Sequence, residues 1–152
     1  MRRVAILLVA LAVTSAACGR KSPPLAPELV RPEPADNLSA ISMPGGVRLS
    51  WQRPLRYSGG QRMNDLGGFV IERAPGEGAP AEFARVGTRE VEDQERFRKE
   101  RHLEWTDQNV VAGQRYLYRV TAYTLDGYQS APAGPVAIRF GPSPPPDKEP
   151  SR

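Results

Sequence analysis

The sequence predicts an all-β domain, a two-layer sandwich of about seven short strands, and three observations lead there. Apolar residues in the middle of the chain recur with period two. The 16 Pro and 14 Gly are spread through the chain, which breaks long helices and marks many turns. The length, 152 residues, suits one domain with tails and not two.

Taken from the front, Met1 to Ala17 reads as an export leader. Arg2 and Arg3 precede the apolar run Val4 to Val13, and Thr14 to Ala17 are small. The run is shorter than the roughly 20 residues a bilayer span needs, so a leader that is cut away is expected. Cys18 stands at the expected cut and is the single cysteine, with no partner for an internal disulfide. Ser15-Ala16-Ala17-Cys18 resembles the lipobox of bacterial lipoproteins, in which the cysteine becomes residue one and carries diacylglycerol. Ser15 stands where that family usually has Leu, Val or Ile. Ser15 and Ala17 also fit the ordinary signal peptidase, which would cut the same bond and leave a free thiol on a secreted, unlipidated chain. Gly19 follows the cysteine where inner-membrane lipoproteins often carry Asp. The resemblance therefore implies an anchor in the outer membrane, facing the periplasm.

Residues 18–35 hold Pro23, Pro24, Pro27, Pro32 and Pro34 and few core-forming side chains. That composition predicts an extended tether of roughly 50 Å at about 3.1 Å per residue. Cys18-Gly19-Arg20-Lys21-Ser22-Pro23-Pro24 also resembles the start of the small lipoprotein that helps mature the lipopolysaccharide translocon. A role in that assembly is one alternative, and a plain spacer is the other. Residues 141–152, with Pro142, Pro144, Pro145, Pro146 and Pro150, read as a disordered tail.

The strands fall between 36 and 140. Leu38 to Ile41 opens the series, and Val47, Leu49 and Trp51 alternate with Arg48, Ser50 and Gln52 until Pro54. Phe69 to Arg73 follows Gly67-Gly68 and ends at Ala74-Pro75-Gly76. Ala81 to Val86 and His102 to Thr106 are weaker strands. Arg115 to Thr124 is the strongest, with Tyr116, Tyr118, Val120 and Ala122 on one face. Ala137 to Phe140, preceded by Pro132 and Pro135, suits an edge.

These segments, in this order, resemble a fibronectin type III domain. Gly46 to Trp51 matches its strand B, Phe69 to Arg73 its strand C, and Val110 to Tyr123 its corner into strand F. The resemblance implies an immunoglobulin-like sandwich with Trp51 in the core. It also implies that Tyr116 is the corner tyrosine, its hydroxyl bonding back to the chain near Val110. Two loops, Leu55 to Leu66 and Thr88 to Arg101, are long for such a domain and are the expected binding surface. Arg56, Tyr57, Arg62 and Met63 in the first and Phe97 in the second are the candidate contacts. Glu92 with Arg96 and Glu95 with Lys99 are spaced to support a helical turn around Phe97.

The sequence offers little chemistry. Ser58-Gly59-Gly60 lacks the Lys-Ser or Lys-Thr step of a phosphate loop. His102 is the single histidine, so a zinc site or a Ser-His-Asp triad has little to build on. Glu72, Glu104 and Asp107 are carboxylates without a pattern that pairs them across a cleft. The net charge of +4 is modest, and Glu90 to Arg101 alternates in sign, which argues against nucleic acid. The expectation is a non-catalytic module with no cofactor and no metal, bound to a membrane through Cys18. Its partner is an envelope protein or, with Tyr57 and Tyr128 as stacking aromatics, a glycan.

Overall fold

The computed structural model describes residues 26–76 and 81–141. The expected leader, Cys18 and the tail from Pro142 onward lie outside the described residues.

Seven strands form two antiparallel sheets. They are β1 (Asp36–Met43), β2 (Gly46–Gln52), β3 (Leu66–Pro75), β4 (Ala84–Glu90), β5 (His102–Asp107), β6 (Arg115–Thr124) and β7 (Ala133–Arg139). A single helical turn, α1 (Asp93–Arg96), joins β4 to β5. One sheet is ordered β1-β2-β5 and the other β4-β3-β6-β7.

Period-two patterning decides which faces meet. Val47, Leu49 and Trp51 of β2 are buried while Arg48, Ser50 and Gln52 are half-buried. The register sets Leu49 opposite Trp105 and Trp51 opposite Leu103. In the facing sheet the long β3–β6 pair runs from Leu66 opposite Thr124 to Pro75 opposite Tyr116. It carries Phe69, Ile71, Tyr118, Val120 and Ala122 inward. Trp51 meets Phe69 edge-on at 5.3 Å between ring centroids, an arrangement that suits the two ring quadrupoles. Burying side chains of this size is worth about 2–3 kcal/mol each. At Gly87 of β4 an added Cβ would fall 2.3 Å from the Trp105 ring, so glycine lets the sheets close at that point.

Three elements differ from the sequence expectation. β4 begins at Ala84 and runs to Glu90, because pairing with β3 from Arg73–Ala84 to Gly68–Glu90 sets its limits. β7 begins at Ala133, since Pro135 sits on the outer edge of the sheet where its missing N–H breaks no ladder. Residues 26–35 are not an extended tether. Pro27–Val30 forms a 3-10 turn, and Pro32 and Ala35 are buried. The carbonyl of Arg31 accepts from Ser58 N–H at 2.8 Å and that of Leu29 from Gly59 N–H at 3.1 Å. Proline-rich composition favours extended backbone, but it does not stop that backbone from lying against the loop after β2.

Candidate functional site

The chain reverses direction at two ends of the sandwich, and the ends handle charge differently. At the end holding the β1–β2 turn, Asp107 is 3% exposed and fully engaged. Its Oδ2 accepts from Arg73 Nη1 at 2.7 Å and from the Tyr118 hydroxyl at 2.9 Å, and its Oδ1 accepts from Asn109 N–H at 3.0 Å. Burial, and then the Asp107 carboxylate, hold the Tyr118 hydroxyl above its ordinary range. Burial alone would lower Arg73, but Asp107 outweighs it and the guanidinium is raised. The same guanidinium lies over the Tyr116 ring at 5.0 Å, and the Tyr116 hydroxyl accepts from Val111 N–H at 3.0 Å. Tyr116 is therefore at the rim of the core, whereas Tyr118 and Trp51 are in its centre.

At the opposite end the two long loops come together. Residues 53–64 and 96–99 enclose a groove of about 640 Å³ lined by Arg53, Leu55, Arg62, Met63, Asn64, Arg96, Phe97, Arg98 and Lys99. Arg53, the residue before Pro54 at the end of β2, is 4% exposed and staples the loops. It donates through Nε to the Glu100 carbonyl at 3.2 Å and through Nη2 to the Arg98 carbonyl. Arg101 returns the link, donating through Nε to the Arg53 carbonyl at 3.1 Å. Burial, and after it the charges of Arg101 and Arg62, hold the Arg53 guanidinium below its ordinary value, with Glu95 pulling the other way.

The turn beside the groove is held by its own contacts. Glu92 caps α1 in a reciprocal box with Glu95. Glu95 pairs with Arg89 at 2.6 Å, and that bond keeps its carboxyl below the usual range against the effect of burial. Arg96 pairs with Asp93 at 2.8 Å and donates to the Leu66 carbonyl at 3.0 Å. The Glu92–Arg96 and Glu95–Lys99 pairs anticipated from spacing are thus replaced by Asp93–Arg96 and Arg89–Glu95, since α1 is a single turn. Among the described residues no carboxylate pairs with Arg53, Arg62, Arg98 or Lys99.

The expected contact residues separate on this geometry. Arg62 and Phe97 are exposed and line the groove, Phe97 at 67% exposure. Met63 is 8% exposed and belongs to the core, so it forms the groove floor and not a free contact. Arg56 is exposed but outside the groove, donating to the Gly60 carbonyl at 2.7 Å. Tyr57 packs on the core and donates its hydroxyl to Asp65 at 2.6 Å, so its ring is not free to stack; Tyr128 is 40% exposed. Cys18 lies outside the described residues. Sequence reasoning missed Arg53, Arg98, Lys99 and Leu55. The signal that could have found Arg53 is a cation ending an otherwise well-patterned strand.

The carboxylates considered for acid–base work are held elsewhere. Glu72 is bound bidentately by Arg119, at 2.8 and 2.9 Å, on the outer face of the β3–β6 pair. Glu104 is exposed and near Arg48 and His102, on the other sheet. No group of three His, Cys, Asp or Glu converges among the described residues. A second hollow of about 400 Å³, at the β1–β2 turn, is lined by Met43, Pro44, Ala112 and Phe140. Its one hydroxyl, Ser42, already bonds Gly141 at 3.1 Å, which leaves little to orient a ligand.

Two antiparallel sheets of three and four strands, with the tyrosine of the corner into β6 bonded back to Val111, define an immunoglobulin-like sandwich. Comparison with solved structures narrows this to the fibronectin type III fold. The chain is similar to an Fn3-like protein from Clostridium thermocellum at 17% identity and TM-score 0.50, over 74% of this chain and 97% of that one. It is also similar to the twitchin kinase region from C. elegans at 21% identity and TM-score 0.54, over 72% of this chain but 17% of that one. No protein-family model and no curated protein matches the sequence. At these identities the likeness concerns the fold.

Proposed function

We propose that this protein is a non-catalytic lipoprotein of the bacterial cell envelope. In this reading lipid on Cys18 holds it to a membrane, the outer one facing the periplasm, and its fibronectin type III domain presents the groove to another envelope protein. The observation that carries the binding half is the convergence of the two long loops. They meet at a hollow that combines unpaired cations with the exposed side chains Leu55 and Phe97. Concave sites with an apolar rim and a few fixed polar groups are where binding energy concentrates.

The anchoring half rests on the leader and on Cys18 at its expected cut. The docking of Leu29 and Arg31 on the 56–60 loop adds a geometric consequence. From Cys18 to Ala26 is eight residues, a reach of at most about 28 Å, so the groove end of the domain would be the membrane-proximal end.

The test is to express the full chain and its Cys18→Ala variant in a Gram-negative host and weigh both intact. The expected result is wild type beginning at Cys18 with added lipid mass in the membrane fraction, and the variant soluble. Wild type cut after Ala17 without lipid would replace the anchored reading with a secreted one. Mild crosslinking in the same cells should then yield a discrete partner through the groove. Recovery of no partner above background would remove the interaction reading.

A further inference from the structure

We propose that the groove receives an acidic linear segment of a partner protein, its carboxylates on Arg53, Arg62, Arg98 and Lys99 and one apolar side chain between Leu55 and Phe97. The inference rests on the interaction-module reading above and gives its ligand a chemistry.

The electrostatic argument begins at Arg53. A guanidinium this deeply buried ordinarily stands beside a carboxylate, as even the half-buried Arg73 does at the other end. Arg53 has two backbone carbonyls instead, Arg98 and Glu100, which satisfy hydrogen bonds without cancelling its charge. Arg62 and Arg101 add like charge close by, although Arg101 is itself paired with Asp36 at 3.0 Å and Glu95 opposes them in part. Arg98 and Lys99 extend the cationic lining to the open side. A carboxylate entering the groove supplies the missing counter-charge, relieves the repulsion, and does so where water is partly excluded and the attraction is least screened.

The apolar part narrows the ligand class. An inorganic anion would use the cations and leave Leu55 and Phe97 idle. These side chains are 41% and 67% exposed on the same groove, a pairing that a peptide with alternating acidic and apolar residues would cover. About 640 Å³ accommodates a few side chains of an extended segment. A planar anionic bilayer fits less well. The segments of the same end also expose Glu28, Glu33, Asp93 and Asp126 beside Arg31 and Arg56, so outside the hollow the charge is of mixed sign. A peptide can enter the hollow; a bilayer meets the mixed surround as well.

The experiment measures fluorescence anisotropy with the detergent-solubilised full chain. The probes are a labelled Asp-Glu-Leu-Asp-Phe-Glu peptide and its amide counterpart, Asn-Gln-Leu-Asn-Phe-Gln. The acidic peptide should bind at least about tenfold tighter, with the margin shrinking as salt rises. Arg62→Glu and Lys99→Glu, both on exposed side chains, should each weaken it by about tenfold while the melting temperature is unchanged. Phe97→Ser should weaken both peptides alike.

Equal binding of the two peptides, or binding indifferent to Arg62→Glu and Lys99→Glu, overturns the proposal. So does phosphatidylglycerol-vesicle binding that depends on those residues when the peptide does not bind. If the acidic peptide fails but crosslinking in cells still yields a discrete partner unaffected by Arg62→Glu, the acidic ligand is wrong and the module reading stands. If crosslinking yields none either, both fall.

Discussion

Arg53, buried, and Arg73, half-buried, are arginines at opposite ends of one sandwich, and their surroundings push them in opposite directions. Arg73 faces Asp107, which raises it despite burial. Arg53, bonded to carbonyls alone, is lowered by burial first and then by Arg101 and Arg62. A buried charge with a fixed counter-charge is part of the fold, because removing either member strands the other. A buried charge held by carbonyls alone remains available to an outside anion. The contrast separates the end whose charge is closed within the fold from the end to which the proposal assigns binding.

The largest expected effect lies at the paired end. Asp107→Ala removes the acceptor of Arg73, Tyr118 and Asn109 together, and leaves the buried Tyr118 hydroxyl and the half-buried guanidinium without their carboxylate. Urea denaturation should register a loss of about 3–5 kcal/mol. A loss below about 1 kcal/mol would mean that water reaches Arg73 readily, and the contrast between the ends would collapse. Tyr116→Phe comes next. It removes one hydrogen bond, that from Val111 N–H, while keeping the ring under Arg73, and should cost about 1 kcal/mol. A cost indistinguishable from zero would show the corner bond to be replaceable by solvent.

The strongly patterned interior was legible in the sequence because alternation and burial have the same period. Alternation alone assigns Val47-Leu49-Trp51 and Tyr116-Tyr118-Val120-Ala122 to faces. The edges were less legible for a physical reason. β4 is half-exposed along its length, so Ala84 to Glu90 shows no apolar stripe, and its limits come from β3. β7 hides behind Pro135, which a sequence argument reads as a stop although an outer edge tolerates it. Both long loops were recognisable as candidates, but not that they share one groove. Met63 looked like a free contact because loop membership says nothing about which side chains turn inward. Arg53 was invisible as a site residue, since arginine is so seldom buried that position alone gives no reason to expect it.

Each end also has a tyrosine donating to an aspartate, Tyr118 to Asp107 and Tyr57 to Asp65. Tyr57 is the one whose titration is accessible. Burial first, then the bond to Asp65 and the charges of Asp65 and Asp126, push it up to about 12. A raised folded value means the folded protein holds this proton longer than the unfolded chain, whose tyrosine titrates near about 10. Its contribution to stability is therefore whole below pH about 10 and falls away between there and about 12. Tyr57→Phe should flatten that part of the stability–pH curve and lower the neutral plateau by about 1–2 kcal/mol, the cost of the lost bond to Asp65. An unaltered alkaline slope would place the titration elsewhere.

The smallest effect on stability is expected at Arg53 itself, and it is the sharpest test of the contrast. Arg53→Met removes a desolvated charge that has no carboxylate to strand. The carbonyls it leaves, on Arg98 and Glu100, belong to exposed residues that can turn to water. Buried charges replaced by apolar groups of similar length are often close to neutral, so the change should stay within about 1 kcal/mol by urea denaturation. Asp107→Ala should then cost several-fold more at equal burial. If Arg53→Met instead unfolds the domain, the two carbonyl bonds are structural fixtures on a par with the Asp107 cluster. Arg53 would then belong to the scaffold, and Arg62, Arg98 and Lys99 would have to hold any anion without it.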